Sequence, residues 1–310
     1  MSIKNTFREI ALMISSKQPQ MVDQILEEAP ILEMIPYSPT TDGFQHNYEE
    51  IEEVTGAGIV DIDEALPEVD SHTSLKHVDL SILGGTMFVG EDKALKMGGP
   101  QTYFARKQPL IMTKTGMDAE KTILYNNIRA YSIENDSTLS GSHVIDAGGT
   151  GSTNYSILAI KWAEGQTSGL YDPSGFGRGT LMDIQPLNGG STFLKDSRIV
   201  YGIRMKSYFG MLLANSRYVS SIVNIDLGSA STTPTGANID SLIESVRGQT
   251  GGNTWLYMHP KVFTALFKNK ADNLEIRIGD MDINRTFAAW NGIPILTSYN
   301  FLEGTEARVT

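Results

Sequence analysis

Between Glu49 and Asp70 the chain carries nine carboxylates and no lysine or arginine: Glu49, Glu50, Glu52, Glu53, Asp61, Asp63, Glu64, Glu68 and Asp70. The run sits inside a β-type pattern. Residues 44–54 (FQHNYEEIEEV) and 75–90 (LKHVDLSILGGTMFVG) alternate in part between apolar and polar side chains. Gly56, Gly58 and Pro67 lie between them. The pattern predicts a long two-stranded arm with a flexible tip. An isolated ribbon of this kind is barely stable in water. An acidic one needs a basic surface to lie on, or it stays mobile.

The next segment has the opposite sign. From Lys93 to Arg129 there are seven bases (Lys93, Lys96, Arg106, Lys107, Lys114, Lys121, Arg129) against two acids, Asp118 and Glu120. Met117, Leu124, Ile128 and Tyr131 step at helical spacing, so residues 100–133 read as the main helical segment. Pro109 is expected to break or kink it, and Gly116 to weaken it.

The rest alternates short elements. Residues 19–29 (PQMVDQILEEA) read as an amphipathic helix opened by Pro19 and stopped by Pro30. Residues 134–154 are a polar, Gly-rich connection. Strands are expected at 155–164 and 168–172, and a strand-rich run at 198–226. A short helix is expected at 238–248, capped by Asn238 or Asp240 and stopped at Gly248. TWLYMH reads as a strand and PKVFTALFKNK (260–270) as a helix. The order is α+β, without tandem repeats.

Composition narrows the chemistry. The 310 residues suffice for one elaborated domain or two. A net charge of −11 argues against non-specific nucleic-acid binding, which depends on Lys and Arg. With no cysteine there are no disulfides, zinc–thiolate sites or thiol nucleophiles, which fits folding inside a cell. No apolar run reaches the ~20 residues of a membrane span. The first residues lack the apolar core of a signal peptide.

Catalytic and ligand motifs fail on spacing. The five histidines (His46, His72, His77, His143, His259) show no metal-ligand spacing. Asp280, Asp282 and Asn284 begin like a calcium loop, but Arg285 stands where glycine is needed and Asn291 where a bidentate glutamate is needed. No G-x-S-x-G run exists. PSGFGRGT (173–180) could cradle phosphate through Gly175, Gly177 and Gly179 beside Arg178. It lacks the lysine and following helix of a P-loop, and its last glycine spacing is wrong for a dinucleotide fingerprint. A Gly-rich turn between two strands fits better. No catalytic, cofactor or metal residue is assigned.

Five stretches resemble, in order, the tailed-bacteriophage major capsid proteins of the Hong Kong 97-type fold: APILEMIPYSP (29–39), ARKQPLIMTKTGMDAEKTILY (105–125), SILAIKWAEGQTSGLYDPSG (156–175), SRYVSSIVNID (216–226) and GIPILTSYNFLEGTEARV (292–309). The nearest branch is that of short-tailed phages related to epsilon15. Ser216 departs from the family's aromatic, and Pro109 interrupts the spine.

The resemblance implies an N-terminal arm with a short helix (1–40), an extended β arm or E-loop (41–90), a peripheral domain with the spine helix (91–154), a mainly axial domain with a long hairpin (155–285), and closing strands (286–310). It implies a shell subunit forming hexamers and pentamers of an icosahedral head around double-stranded DNA, without sequence-specific binding. Scaffolding, decoration and portal proteins are its implied partners, the virion its location and the host cytoplasm its place of assembly. No enzyme activity, cofactor or membrane is implied. Inter-subunit contacts are then expected between the acidic arm (Glu49, Glu50, Glu52, Glu53, Asp61, Asp63, Glu64) and a neighbour's basic spine (Arg106, Lys107, Lys114, Lys121, Arg129), and at the turn Gly175, Gly177, Arg178, Gly179. Each exposed pair contributes only about 0.2–1 kcal/mol, but many copies together set register. The alternatives are an encapsulin-like compartment of the same fold, an acidic enzyme, and a sugar-binding tail-associated module using Trp162, Trp255 and Trp290 as platforms.

Overall fold

A computed structural model describes residues 29–62, 65–136, 143–173, 183–229, 231–248, 253–268, 274–278 and 286–310. All of the helix read at 19–29 except Ala29, and the turn at 174–182, therefore lie outside the described residues, as do Asp63, Glu64 and the 279–285 run.

The chain opens with α1 (Pro30–Met34) and β1 (Tyr37–Pro39), then β2 (Gln45–Val54), β3 (Ser71–Asp79) and β4 (Ser81–Gly90). β2 and β3 pair antiparallel from Gln45↔Asp79 to Val54↔Ser71, with a bulge between Ile51 and Glu53. The 75–90 run is two strands rather than one. At Leu80 it passes from its pairing with β2 to a ten-residue pairing with β10 (Arg198–Leu213), from Phe209↔Ser81 to Val200↔Gly90. Gly84 lies so close to β10 that a Cβ there would meet the Met205 carbonyl oxygen at 2.3 Å.

After α2 (Glu91–Lys96), a continuous helical rod runs through α3 (Pro100–Thr122), a π-helical stretch (Ile123–Arg129) and α4 (Ala130–Glu134). Pro109 lies inside the rod and does not end it. Proline removes one backbone hydrogen bond, but Phe104 and Gln108 before it and Met112 after it are all buried. Tertiary packing thus holds both sides of the break. The π-helical stretch has its own sequence cause. Phe104, Gln108, Met112, Gly116, Glu120, Leu124, Ile128 and Ser132 are buried at strict intervals of four. A four-residue repeat drifts around a helix of 3.6 residues per turn. Winding one stretch more loosely, with i→i+5 bonds, turns the stripe back toward the core.

That core is a mixed seven-stranded sheet in the order β13–β14–β15–β12–β6–β11–β5. Its strands are β5 (Val144–Asp146), β6 (Tyr155–Trp162), β11 (Val219–Ile225), β12 (Asn253–Met258), β13 (Leu274–Ile278), β14 (Thr286–Trp290) and β15 (Ile293–Thr297). All eight residues of β6 are buried because both faces are covered. Leu158, Ile160 and Trp162 meet Ile123, Leu124 and Ile128 of the rod and Ile31 and Ile35 of the entry segment. Ile157 and Ala159 meet the helices α5 (Gly236–Ser245) and α6 (Pro260–Lys268) on the other face. Ile239, Leu242 and Ile243 of α5 each stabilise this layer by about 1.5–3 kcal/mol through burial. The cap of α5 is Thr235, one turn before the residues expected, and its hydroxyl accepts the Asn238 N–H at 3.4 Å.

The second sheet runs β1–β7–β10–β4, where β7 is Thr167–Tyr171. β8 (Asp183–Pro186) and β9 (Phe193–Lys195) also pair with β10. Among the described residues no helix is long and apolar enough to cross a membrane.

Candidate inter-subunit surfaces

The arm has two unlike faces, set by β alternation. His46, Tyr48 and Glu50 with Val78, Lys76 and Ser74 form one face, where most side chains are half-buried. Glu50 forms an ion pair with Lys76 on it. Tyr131, near the end of the rod, has its hydroxyl pKa pushed up to about 12 by burial and by the fields of Tyr48 and Glu50. Asn47, Glu49 and Ile51 with His77, Leu75 and Thr73 form the other face, and every one of them is exposed. Ile51 and Leu75 are 65 % and 74 % exposed. Further along, Ile59, Ile62 and Leu66 are more exposed still. Glu50 is thereby a contact within the arm, whereas Glu49, Glu53 and Asp61 face solvent. Glu52 lies in the bulge, and its side chain is outside the description.

On the rod, Arg106, Lys107, Lys114 and Lys121 are exposed. At about 100° per residue they fall on one stripe. Leu110, 68 % exposed, sits among them, four residues from Arg106 and Lys114 and three from Lys107. Lys114 pairs with Asp118 at 2.7 Å. Among the described residues no ion pair engages Arg106 or Lys107 and none joins the arm to the rod.

Arg129 does not belong to this stripe. Its guanidinium turns inward, donating to Ser156 Oγ at 3.0 Å and lying 3.6 Å from Glu306. Glu306 also accepts from the Tyr125 hydroxyl at 2.6 Å and from Ser156. Burial pushes the Glu306 carboxyl above the usual carboxylate range, opposed by those hydrogen bonds and by Arg129. Val309 is held by both side-chain amide atoms of Asn224 at 2.9 Å each.

A second buried carboxylate pins the other end of the described chain. Glu120 is fully buried and accepts from Ile31 N at 2.9 Å, from Asn300 Nδ2 at 2.9 Å and from Ser298 Oγ. Burial raises its pKa, against the pull of hydrogen bonds from Ser298, Asn300, Ile31 and Leu32. Sequence reading missed both carboxylates. The available signal for Glu120 was its place in the four-residue stripe between Gly116 and Leu124.

The three tryptophans are 1–4 % exposed, and each indole N–H is bonded internally, to Tyr257, Asn253 and Asp240 respectively. None offers a ring face to a sugar, so the platform reading falls. Gly175, Gly177, Arg178 and Gly179 lie outside the described residues.

The family model for major capsid protein GP7 matches residues 125–310, more than half of the chain. The chain belongs to this capsid protein family. The fold agrees. Bacteriophage epsilon15 superposes on the subunit with a TM-score of 0.58 at 18 % identity, over 88 % of each chain. The capsid of bacteriophage JBD30 gives 0.56 at 11 % identity, over 88 % of this chain and 91 % of that one. The same capsid decorated with minor capsid protein trimers gives 0.51 at 10 % identity, over 87 % and 90 %. No protein of curated function matches the chain in sequence. The subunit is thus a major capsid protein of the Hong Kong 97-type fold and a structural component of a virion.

Proposed function

We propose that this subunit forms hexamers and pentamers that close into an icosahedral phage head around double-stranded DNA, within the cytoplasm of the bacterial host. The observation that carries the reading is the arm. Its paired strands and the loop beyond them bring exposed acidic and aliphatic side chains into solvent. A two-stranded ribbon needs further packing for stability, and a neighbouring subunit supplies it. In this reading residues 1–40 are the N-terminal arm and 41–90 the reaching arm. Residues 91–154 form the peripheral domain, 155–285 the mainly axial domain, and 286–310 the closing strands. The role is mechanical, and no catalytic step is assigned to it. DNA is enclosed without sequence readout, as the net charge of −11 leaves little backbone affinity. Scaffolding, portal and decoration proteins are the expected partners, the last by analogy with the decorated JBD30 capsid.

The test is expression of the chain, alone and with its neighbouring genes, followed by negative-stain electron microscopy. Capsomer rings or closed shells support the reading. A stable monomer or dimer at high concentration refutes it. Packaged DNA rather than packaged protein separates a phage head from an encapsulin-like compartment.

A further inference from the structure

We infer that the closing segment, residues 298–309, is a strap that holds the π-helical stretch of the rod in its loose winding, and that releasing the strap lets the stretch rewind as α-helix and turn the rod's first half about its axis. The inference goes beyond the shell reading and concerns the single subunit.

The strap runs along the rod in the same direction. Its start is tied just before the π-helical stretch, where Ser298 Oγ and Asn300 Nδ2 both donate to Oε1 of Glu120. Its middle lies on the stretch. Leu302 N donates to the Tyr125 hydroxyl at 2.8 Å, and the Phe301 ring stands edge-on to Tyr125 with centroids 6.1 Å apart. Its later part reaches the end of the stretch, where Glu306 accepts from Tyr125 at 2.6 Å and lies 3.6 Å from Arg129. The segment forms no helix or strand of its own and has one bridge, between Asn154 and Glu306.

These ties depend on the winding. An α-helix turns each residue by about 100°, and i→i+5 winding turns it by less. Rewinding therefore swings Glu120 about the axis relative to Tyr125 and Arg129, and one strap cannot keep both ends tied. A ligand shifts a conformational equilibrium only through unequal affinity for the two states, and the strap has that inequality built in. π-helical winding is rare and occurs mostly as single turns, so the seven residues Ile123–Arg129 need support. Buried Ile123, Leu124 and Ile128 supply the apolar part, and the strap adds the polar part at Tyr125 and Arg129.

The stretch also joins two parts of the rod that rest on different sheets. Beyond it, the Ser132 hydroxyl lies 2.8 Å from that of Ser221 on β11 of the seven-stranded sheet. Before it, Phe104 packs with Val89 of β4, Ala94 of α2 and Ile203 of β10 at the second sheet. The first half of the rod bears Arg106, Lys107, Leu110 and Lys114 on its surface. The strap thus fixes the direction in which that surface points.

The chain has no cysteine, so a pair of spin labels can be placed on it selectively. Lys107→Cys puts one on the rod's first half and Ser241→Cys the other on α5, and both positions are exposed. Double electron–electron resonance and amide hydrogen exchange are measured on the full-length, unassembled subunit. The strap is loosened by Glu306→Gln with Asn300→Ala, and more mildly by Tyr125→Phe, which keeps the ring and removes its hydroxyl from Leu302 and Glu306. The native strap should give one distance. The loosened straps should add a second population displaced by at least about 5 Å, half the width of a helix with its side chains. Amides of 123–129 and 298–309 should exchange at least tenfold faster, as one unit, while those of β6 stay as in wild type. Tyr125→Phe carries the test by itself if the double variant does not fold. A single unchanged distance, or rod amides that keep wild-type protection while those of the strap exchange faster, would overturn the inference. So would exchange that rises equally in β6, because the strap would then stabilise the whole fold and not the winding.

Discussion

Replacing Glu120 by glutamine changes one oxygen to an amide nitrogen inside a fully buried site. The remaining oxygen can still accept from Ser298 and Asn300, which share Oε1 in the native protein. The new amide group faces the backbone N–H of Ile31, which then loses its acceptor, while the Leu32 N–H keeps its bond to the Ala29 carbonyl at 3.2 Å. A buried donor left without a partner costs about 1–3 kcal/mol, so a loss of that size is expected. The pH dependence sharpens the test. Burial raises the folded-state pKa of Glu120 above its unfolded value. Its carboxyl therefore contributes stability that is full below the unfolded pKa and is lost as pH rises through the folded one. Glutamine has no such dependence. The wild-type advantage should be greatest near pH 4.5 and should shrink toward pH 8, by about 1.4 kcal/mol for each unit of upward shift. Urea unfolding of unassembled subunits, followed by tryptophan fluorescence, measures this. Trp162 and Trp255 lie in the same core as Ala119, Ile123 and Leu124 around Glu120. A glutamine penalty that grows with pH would refute the reasoning, because the four donors would then outweigh burial and hold the carboxylate charged.

Three further expectations follow from single contacts. Gly169→Ala puts a Cβ at 2.5 Å from the buried Tyr37 ring; overpacking of this kind costs about 1–3 kcal/mol, and a melting temperature equal to wild type would contradict it. Thr235→Ala removes the cap of α5 and should lower stability by about 1 kcal/mol, with Thr235→Ser recovering most of it in the same melts. His259 Nδ1 accepts the Lys261 N–H at 3.0 Å at the start of α6, and burial holds its pKa below the ordinary value. The stability it contributes is present above the unfolded pKa and is lost as pH falls through the folded one. His259→Asn should therefore flatten the decline in stability below about pH 6.5, and an unchanged profile would exclude this source.

Much of the architecture was legible before any coordinates, because it rests on local rules. Alternation and the turn residues marked the arm, the 3.6-residue period marked the rod, and the largely apolar YSILAIKW read as a strand. Misreadings occurred where distant packing outweighed a local preference. Pro109 stayed helical because the side chains before and after it are buried, and the 75–90 strand was divided at Leu80 because β10 claims its second half. The candidate surfaces divide along the same line. Charge sign is a property of composition, so an acidic arm and a basic rod could be named from residues alone. Which of those charges point outward is a property of assembled neighbours. Glu50 was claimed by Lys76 across the ribbon, and Arg129 by Glu306, 177 positions away in the chain.

The sequence by itself determined that this chain has an acidic two-stranded arm, a long basic helix and an α+β body, since periodicity and charge depend only on neighbours along the chain. Tertiary structure alone decided that one arm face is spent internally and the other is free, that Leu110 rather than Arg129 completes the basic stripe, and that Glu120 and Glu306 bind distant segments to the rod. Those outcomes depend on which groups lose water when remote segments meet, and desolvation has no signature in a linear string.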